Sequence, residues 1–158
     1  MKEGKFIHMS LTQTITHDLT QAMKERSEPK LGTLRMLKSE LQKLQADKGK
    51  SYEITDDDVY AVIRRLIKQR KESAEQYKSG GADERAEAEL AEIKILEPYL
   101  PAQLSDEKLD EIIAKSAQEI NAASQKDMGK LMKAVMSQTK GLADGSHVKE
   151  KVQAYLNK

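Results

Sequence analysis

From Leu11 to Leu156 the apolar residues of this chain recur at steps of three and four, and no stretch of useful length alternates in steps of two. Steps of three and four return a side chain to the same side of a helix, whereas a half-buried strand needs period two. The pattern therefore commits the chain to an all-α fold. Composition agrees with that commitment: 38% hydrophobic and 34% charged residues suit thin helical layers with long solvated faces better than a sandwich or barrel. With one Phe, five Tyr and no Trp, the core has to come from Leu, Ile, Val, Ala and seven Met.

Breaks in the period divide the chain. Leu11, Ile15, Leu19, Ala22 and Met23 mark a first helix, with Ser10 or Thr12 able to cap it. Pro29 interrupts or begins a helix, after which Leu31, Leu34, Leu37, Leu41 and Leu44 carry a second one to Lys48-Gly49. Thr55 ahead of Asp56, Asp57 and Asp58 predicts an N-cap with acidic residues where the helix dipole favours them. A third helix then runs to Ser79-Gly80-Gly81, and the paired glycines reverse the chain into an antiparallel fourth helix through Ala86, Leu90, Ile93 and Leu96 that Pro98 ends or bends. The prolines at 98 and 101 and a new N-cap at Ser105 predict a domain boundary, giving an N-terminal four-helix part over residues 10–104 and a C-terminal three-helix part over 105–158. Residues 1–9 read as a leader: a second Met-Ser stands at Met9-Ser10, so the opening octet is an upstream start or an expression remnant.

The absence of cysteine excludes disulfides and thiolate metal sites and suits a reducing compartment, so a cytoplasmic protein is expected. No apolar run reaches the ~18 residues of a membrane span. His8, His17 and His147 show no metal-ligand spacing, and neither a metal nor a cofactor is expected. Acidic residues are plentiful but flank helix caps or polar faces, and no nucleophile sits in an elbow context. No catalytic residue is singled out, and catalysis by the chain alone is disfavoured.

A net charge of +1 says nothing of partners, so the distribution of charge has to. Rotating the sixth helix by about 100° per residue places Lys126, Lys130, Lys133 and Lys140 on one stripe, opposite Met128, Leu131, Met132, Val135 and Met136. Lys149 and Lys151 follow on the seventh helix, and acids are sparse from Gln125 onward. Such a surface is the footprint of a polyanion partner; it is equally the appearance of a lysine face that keeps a small domain soluble. Between the two helices, Lys140-Gly141-Leu142-Ala143-Asp144-Gly145-Ser146 reads either as a tight helix corner, with Gly141 left-handed and Asp144 or Ser146 capping, or as a loop whose amides, flanked by Lys140 and Lys149, hold a phosphate oxygen. It lacks the P-loop pattern.

On the third helix Arg64, Arg65, Lys68 and Lys71 make a second basic run, interrupted by Glu72 and Glu75 and read as a solvated face. Arg70 falls on the apolar side instead and needs a carboxylate there; Glu89 on the fourth helix is the expected partner in a structural ion pair, with Glu92 and Glu97 as substitutes.

The stretch Asp127-Met128-Gly129-Lys130-Leu131-Met132-Lys133-Ala134-Val135-Met136, followed by Lys140-Gly141 and Ala143-Asp144-Gly145, resembles the C-terminal signature of the GatB/YqeY family. Thr33-Leu34-Arg35-Met36-Leu37-Lys38, the run from Ile67 to Ser73, and Ile95-Leu96-Glu97-Pro98-Tyr99-Leu100-Pro101 resemble its stand-alone YqeY-like members. Leu142 departs from the basic residue that members often carry there. The resemblance implies a larger helical N-terminal part and a small three-helix part akin to the tail of the B subunit of the tRNA-dependent amidotransferase, a tail associated with tRNA. It implies none of that enzyme's catalytic domains, so a carbon-nitrogen ligase label with glutamine as amido donor would be inherited by kinship alone.

Three functions are thus expected in order. First is a tRNA-associated accessory module that binds folded RNA through Lys126, Lys130, Lys133, Lys140 and Lys149, with the Gly141 and Gly145 loop beside them; sparse aromatics argue against base stacking on single strands. Second is a protein-protein adaptor using a Met-rich surface near Met132 and Met136. Third is the inherited ligase activity.

Overall fold

The structure, a computed structural model, describes residues 9–158, so the expected leader at 1–9 lies, Met9 apart, outside the described residues. Those residues form seven α-helices, α1 (Leu11–Glu25), α2 (Lys30–Lys48), α3 (Asp56–Ser79), α4 (Asp83–Leu96), α5 (Asp106–Ile120), α6 (Met128–Thr139) and α7 (Gly145–Leu156), with two short 3-10 turns and no strand. No helix among them is long and apolar enough to cross a membrane.

Local chemistry sets the helix ends. Ser10 closes a capping box on α1: its hydroxyl accepts the Gln13 amide while the Gln13 side chain accepts the Ser10 amide. Thr55 and Asp58 do the same for α3, and the neighbouring Asp56 accepts the Leu11 amide at 3.0 Å, fixing the start of α1 to the start of α3. Pro29 occupies the N-cap of α2, outside the helical hydrogen bonding that its missing N–H would break. Pro98 confines α4 to Leu96, and the chain continues as a 3-10 turn over Glu97–Tyr99.

The chain divides into two compact units at Leu100 and Pro101, four residues before the boundary expected at 104 and 105. The reason lies in a backbone bond: the Leu104 amide donates to the Leu142 carbonyl at 2.8 Å, so the connector ahead of α5 belongs to the second unit. In the first unit, Ile15, Leu37, Leu41, Val59, Ile63, Leu66 and Leu96 form the main core, and Leu19, Ala22, Leu31 and Leu34 a smaller one. In the second, Leu109, Ile113, Leu131, Val135, Val148, Val152 and Leu156 from α5, α6 and α7 close a core of their own.

Arg70 is buried, as its place on the apolar side of α3 requires, but its carboxylate is Glu92 at 2.7 Å and not Glu89. Two effects move the pairing one turn along α4. Arg70 stands ten residues before Gly80 and Glu92 eleven after Gly81, which puts them at one height in the hairpin. Long helical side chains also lean toward their own N-terminus, here away from the glycine turn and past Glu89.

A second pairing in this unit is sensitive to acid. Glu40 on α2 accepts from Lys43 at 2.7 Å and from Arg65 of α3 at 2.7 Å, and these two hydrogen bonds hold its carboxyl near a pKa of about 2 against an ordinary 4.5. A depressed carboxyl contributes stability that is complete above its unfolded value and lost as pH falls through the folded one. The melting-temperature advantage of the wild type over Glu40→Gln is therefore expected to hold above pH 5 and to vanish between about pH 4.5 and 2. An advantage unchanged down to pH 2 would remove Glu40 from the account.

A candidate polyanion-binding surface on the second unit

The second unit separates its charges by helix. Five acids and two lysines lie on α5, whereas seven lysines and three acids fall from Gln125 to the C-terminus. The acids of α5 meet α7. Asp110 binds the Lys151 ammonium at 2.8 Å, and Asp106 accepts from His147 at 2.8 Å with Lys151 at 4.0 Å. The His147 bond, then the Lys151 charge, holds the Asp106 carboxyl below its usual range, and Asp110 raises the Lys151 ammonium above its own. Lys151, which the sequence groups with the basic residues, is thereby committed to holding α7 on α5.

The remaining cations stay free. Lys126 is exposed in the 3-10 turn over Gln125–Asp127 that leads into α6, Lys130 and Lys133 are exposed on α6, Lys140 is exposed at its C-cap, and Lys149 is exposed on α7. None of the five forms a salt bridge among the described residues. Opposite Lys130 and Lys133 on α6, Leu131, Val135 and Thr139 are buried, so the helix carries one face into the core and its cations into water. Asp127 partly offsets this field. Its carboxylate accepts the Ala123 and Ser124 amides at 2.9 and 3.2 Å, which together with the Lys130 charge hold it ionised below the usual carboxylate range.

Both glycines of the connecting loop serve the backbone. Gly141 has φ 77° and Gly145 opens α7, with the Met136 methyl 4.0 Å from where a Cβ would sit. Asp144 takes the N-cap position of α7 without a side-chain capping bond. Lys140 is itself left-handed at φ 48°, a conformation costly for a residue with a Cβ. Lys140→Gly is accordingly expected to raise unfolding stability by about 1 kcal/mol while removing a cation, so that melting temperature and polyanion affinity move in opposite directions. Joint movement in one direction would contradict the assignment.

Met136 is exposed while Met132 is half-buried, which leaves one freely exposed methionine on α6. Among the described residues no three metal-ligating side chains converge.

What the sequence did not reveal is the commitment of Lys151 and His147. The signal is present: Asp106 and Asp110 stand four apart on α5, as His147 and Lys151 do on α7. Pairing the two helices is the step that periodicity alone does not supply.

A family model described as "Yqey-like protein" matches residues 12–156. Among curated proteins, the chain is 31% identical over 140 residues, 86% of its own length and 75% of the relative's, to "Altered inheritance of mitochondria protein 41, mitochondrial" of Pyrenophora tritici-repentis. It is 32% identical over 97 residues, 61% of its length and 77% of the relative's, to an uncharacterized protein of Schizosaccharomyces pombe.

Proposed function

The chain belongs to the Yqey-like protein family, and on that premise we propose that it is a tRNA-associated binding module whose second unit engages the phosphate backbone of folded RNA. The observation that carries this reading is the set of five exposed lysines, Lys126, Lys130, Lys133, Lys140 and Lys149, free of carboxylate partners among the described residues while Lys151 is neutralised. Placing an ammonium group against a phosphate releases condensed counterions, and that entropy is the driving force. The resemblance of the Asp127 to Gly145 stretch to the amidotransferase tail is what supports tRNA over other polyanions in this reading. Exposed lysines are point charges that fix position and carry no base readout, so the module would recognise backbone and shape.

An adaptor role calls for a sizeable exposed apolar patch, and a single exposed methionine on α6 supplies little of one. A ligase activity calls for converging carboxylates beside a reactive group, and three acids of the second unit are engaged otherwise: Asp106 and Asp110 in the α5 to α7 pairs and Asp127 in a helix cap. The cysteine-free chain fits a reducing compartment that contains tRNA, which we take to be the cytoplasm; the mitochondrial designation belongs to the Pyrenophora relative.

Fluorescence anisotropy of labelled tRNA with nuclease-treated protein tests the reading. Binding at low salt is expected, with log affinity falling linearly against log salt by about 0.7 to 0.9 per phosphate contact. If tRNA is ignored at low salt while an unrelated basic protein binds it, the proposal fails.

A further inference from the structure

The first unit carries a cationic strip without a carboxylate partner among the described residues, and, resting on the RNA-binding reading above, we infer that the face of α3 bearing Tyr60, Arg64, Lys68 and Lys71 is a second contact for the RNA backbone. Helix α3 has two ways of treating its cations. Arg65 binds Glu40 and Arg70 binds Glu92, both within the unit. Arg64, Lys68 and Lys71 make no salt bridge among the described residues, although Lys68 has Glu72 and Lys71 has Glu75 one turn further along the same helix. A lysine N-terminal to its glutamate is the weaker order of such pairs, because each charge then opposes the helix dipole. The ammonium groups are left to solvent.

Rotation by about 100° per residue puts Tyr60, Arg64, Lys68 and Lys71 on one side of α3. Asp57 and Glu75 lie on that side too and bound the strip at its ends. Its length is about 16 Å and successive cations stand about 4 to 6 Å apart along the axis, a spacing suited to consecutive phosphates of one strand. Arg64 is held in place before any ligand arrives: its guanidinium lies over the Tyr60 ring at 5.9 Å from the centroid. A guanidinium ordered on an aromatic ring gives up less rotamer freedom on meeting a phosphate than a free one does. Lys68 and Lys71 are exposed and supply point charges beside it.

The test uses the full chain and labelled tRNA, with salt dependence as the readout. Three charge-reversal pairs are compared with the wild type: Arg64→Glu with Lys68→Glu, Lys130→Glu with Lys133→Glu, and Lys24→Glu with Lys94→Glu as a net-charge control drawn from exposed lysines outside both surfaces. The α3 pair is expected to lower the salt slope by about 1.4 to 1.8, two contacts' worth, with at most the small fall in melting temperature that the lost Arg64 contact with the Tyr60 ring entails, while the control pair leaves the slope as it was. Arg64→Lys with Lys68→Arg should retain the wild-type slope. An α3 pair indistinguishable from the control, in a protein whose α6 pair does lower the slope, overturns this inference alone; a strip reserved for an acidic protein would give that result. A wild type that does not bind tRNA overturns it together with the reading on which it rests.

Discussion

Replacing Glu92 by alanine is expected to destabilise the first unit by about 3 kcal/mol and to lower its melting temperature by about 12 °C or more. Arg70 is 6% exposed and each nitrogen of its guanidinium is engaged: Nε with Glu92, Nη1 with the Leu66 carbonyl at 3.1 Å and Nη2 with the Met36 sulfur at 3.1 Å. Without Glu92 the charge stays buried among a carbonyl and a thioether, neither of which offsets its desolvation. Glu92 is itself 33% exposed, which places the loss at the lower end of the range for a broken buried pair. Arg70→Met should cost only about 1 kcal/mol, because methionine fills similar space and the orphaned Glu92 can turn into water. The double variant is then expected to be more stable than Glu92→Ala alone, and Glu89→Ala to change stability by no more than about 0.5 kcal/mol. Thermal or urea unfolding of the four variants measures this. A loss from Glu89→Ala equal to that from Glu92→Ala, or an Arg70→Met variant weaker than Glu92→Ala, would show that burial of the guanidinium is not what the pair serves.

The contrast between Arg70 and its partner shows where sequence legibility stops. That Arg70 is buried follows from its rotation on α3 among Ile63, Leu66 and Ala74, which is a property of one helix. Which glutamate meets it is a property of two helices, of their register about the glycine turn and of the direction in which a long side chain leans, and the rotation of α3 alone does not supply it. The helix caps lie at the legible end: Ser10 with Gln13, and Thr55 with Asp58, each act within three residues, so the sequence contains the whole interaction. The division between units lies at the other end. Pro101 and Ser105 both announce a break, but the bond from Leu104 to Leu142, 38 residues away, assigns the residues between them. The same holds at the candidate surface. Exposure of Lys130 and Lys133 could be read from the period of α6, whereas the removal of Lys151 from that surface required knowing that α7 lies against the acids of α5.

Reversing two charges on α6, Lys130→Glu with Lys133→Glu, is expected to weaken tRNA binding about 40-fold at 0.1 M salt, with the deficit shrinking toward nothing as salt approaches 1 M. The size follows from counterion release: at about 0.8 ion per contact, one contact at 0.1 M contributes about sixfold and two contacts about 40-fold. Repulsion from the new carboxylates deepens the loss at low salt and is screened in parallel. The fold should not register the change, since both lysines are exposed, neither has a salt-bridge partner among the described residues, and glutamate matches lysine as a helix former. Lys151→Ala supplies the inverse case. It orphans Asp110 across the α5 to α7 contact, so it should lower the melting temperature and leave the salt slope of binding intact. Equilibrium titrations at four or five salt concentrations, beside thermal melts of the same samples, separate the two outcomes. A deficit of the α6 variant that is the same at 0.1 M and 1 M salt would mean that its lysines do not meet phosphate, because only an exchange of condensed ions carries that dependence on salt.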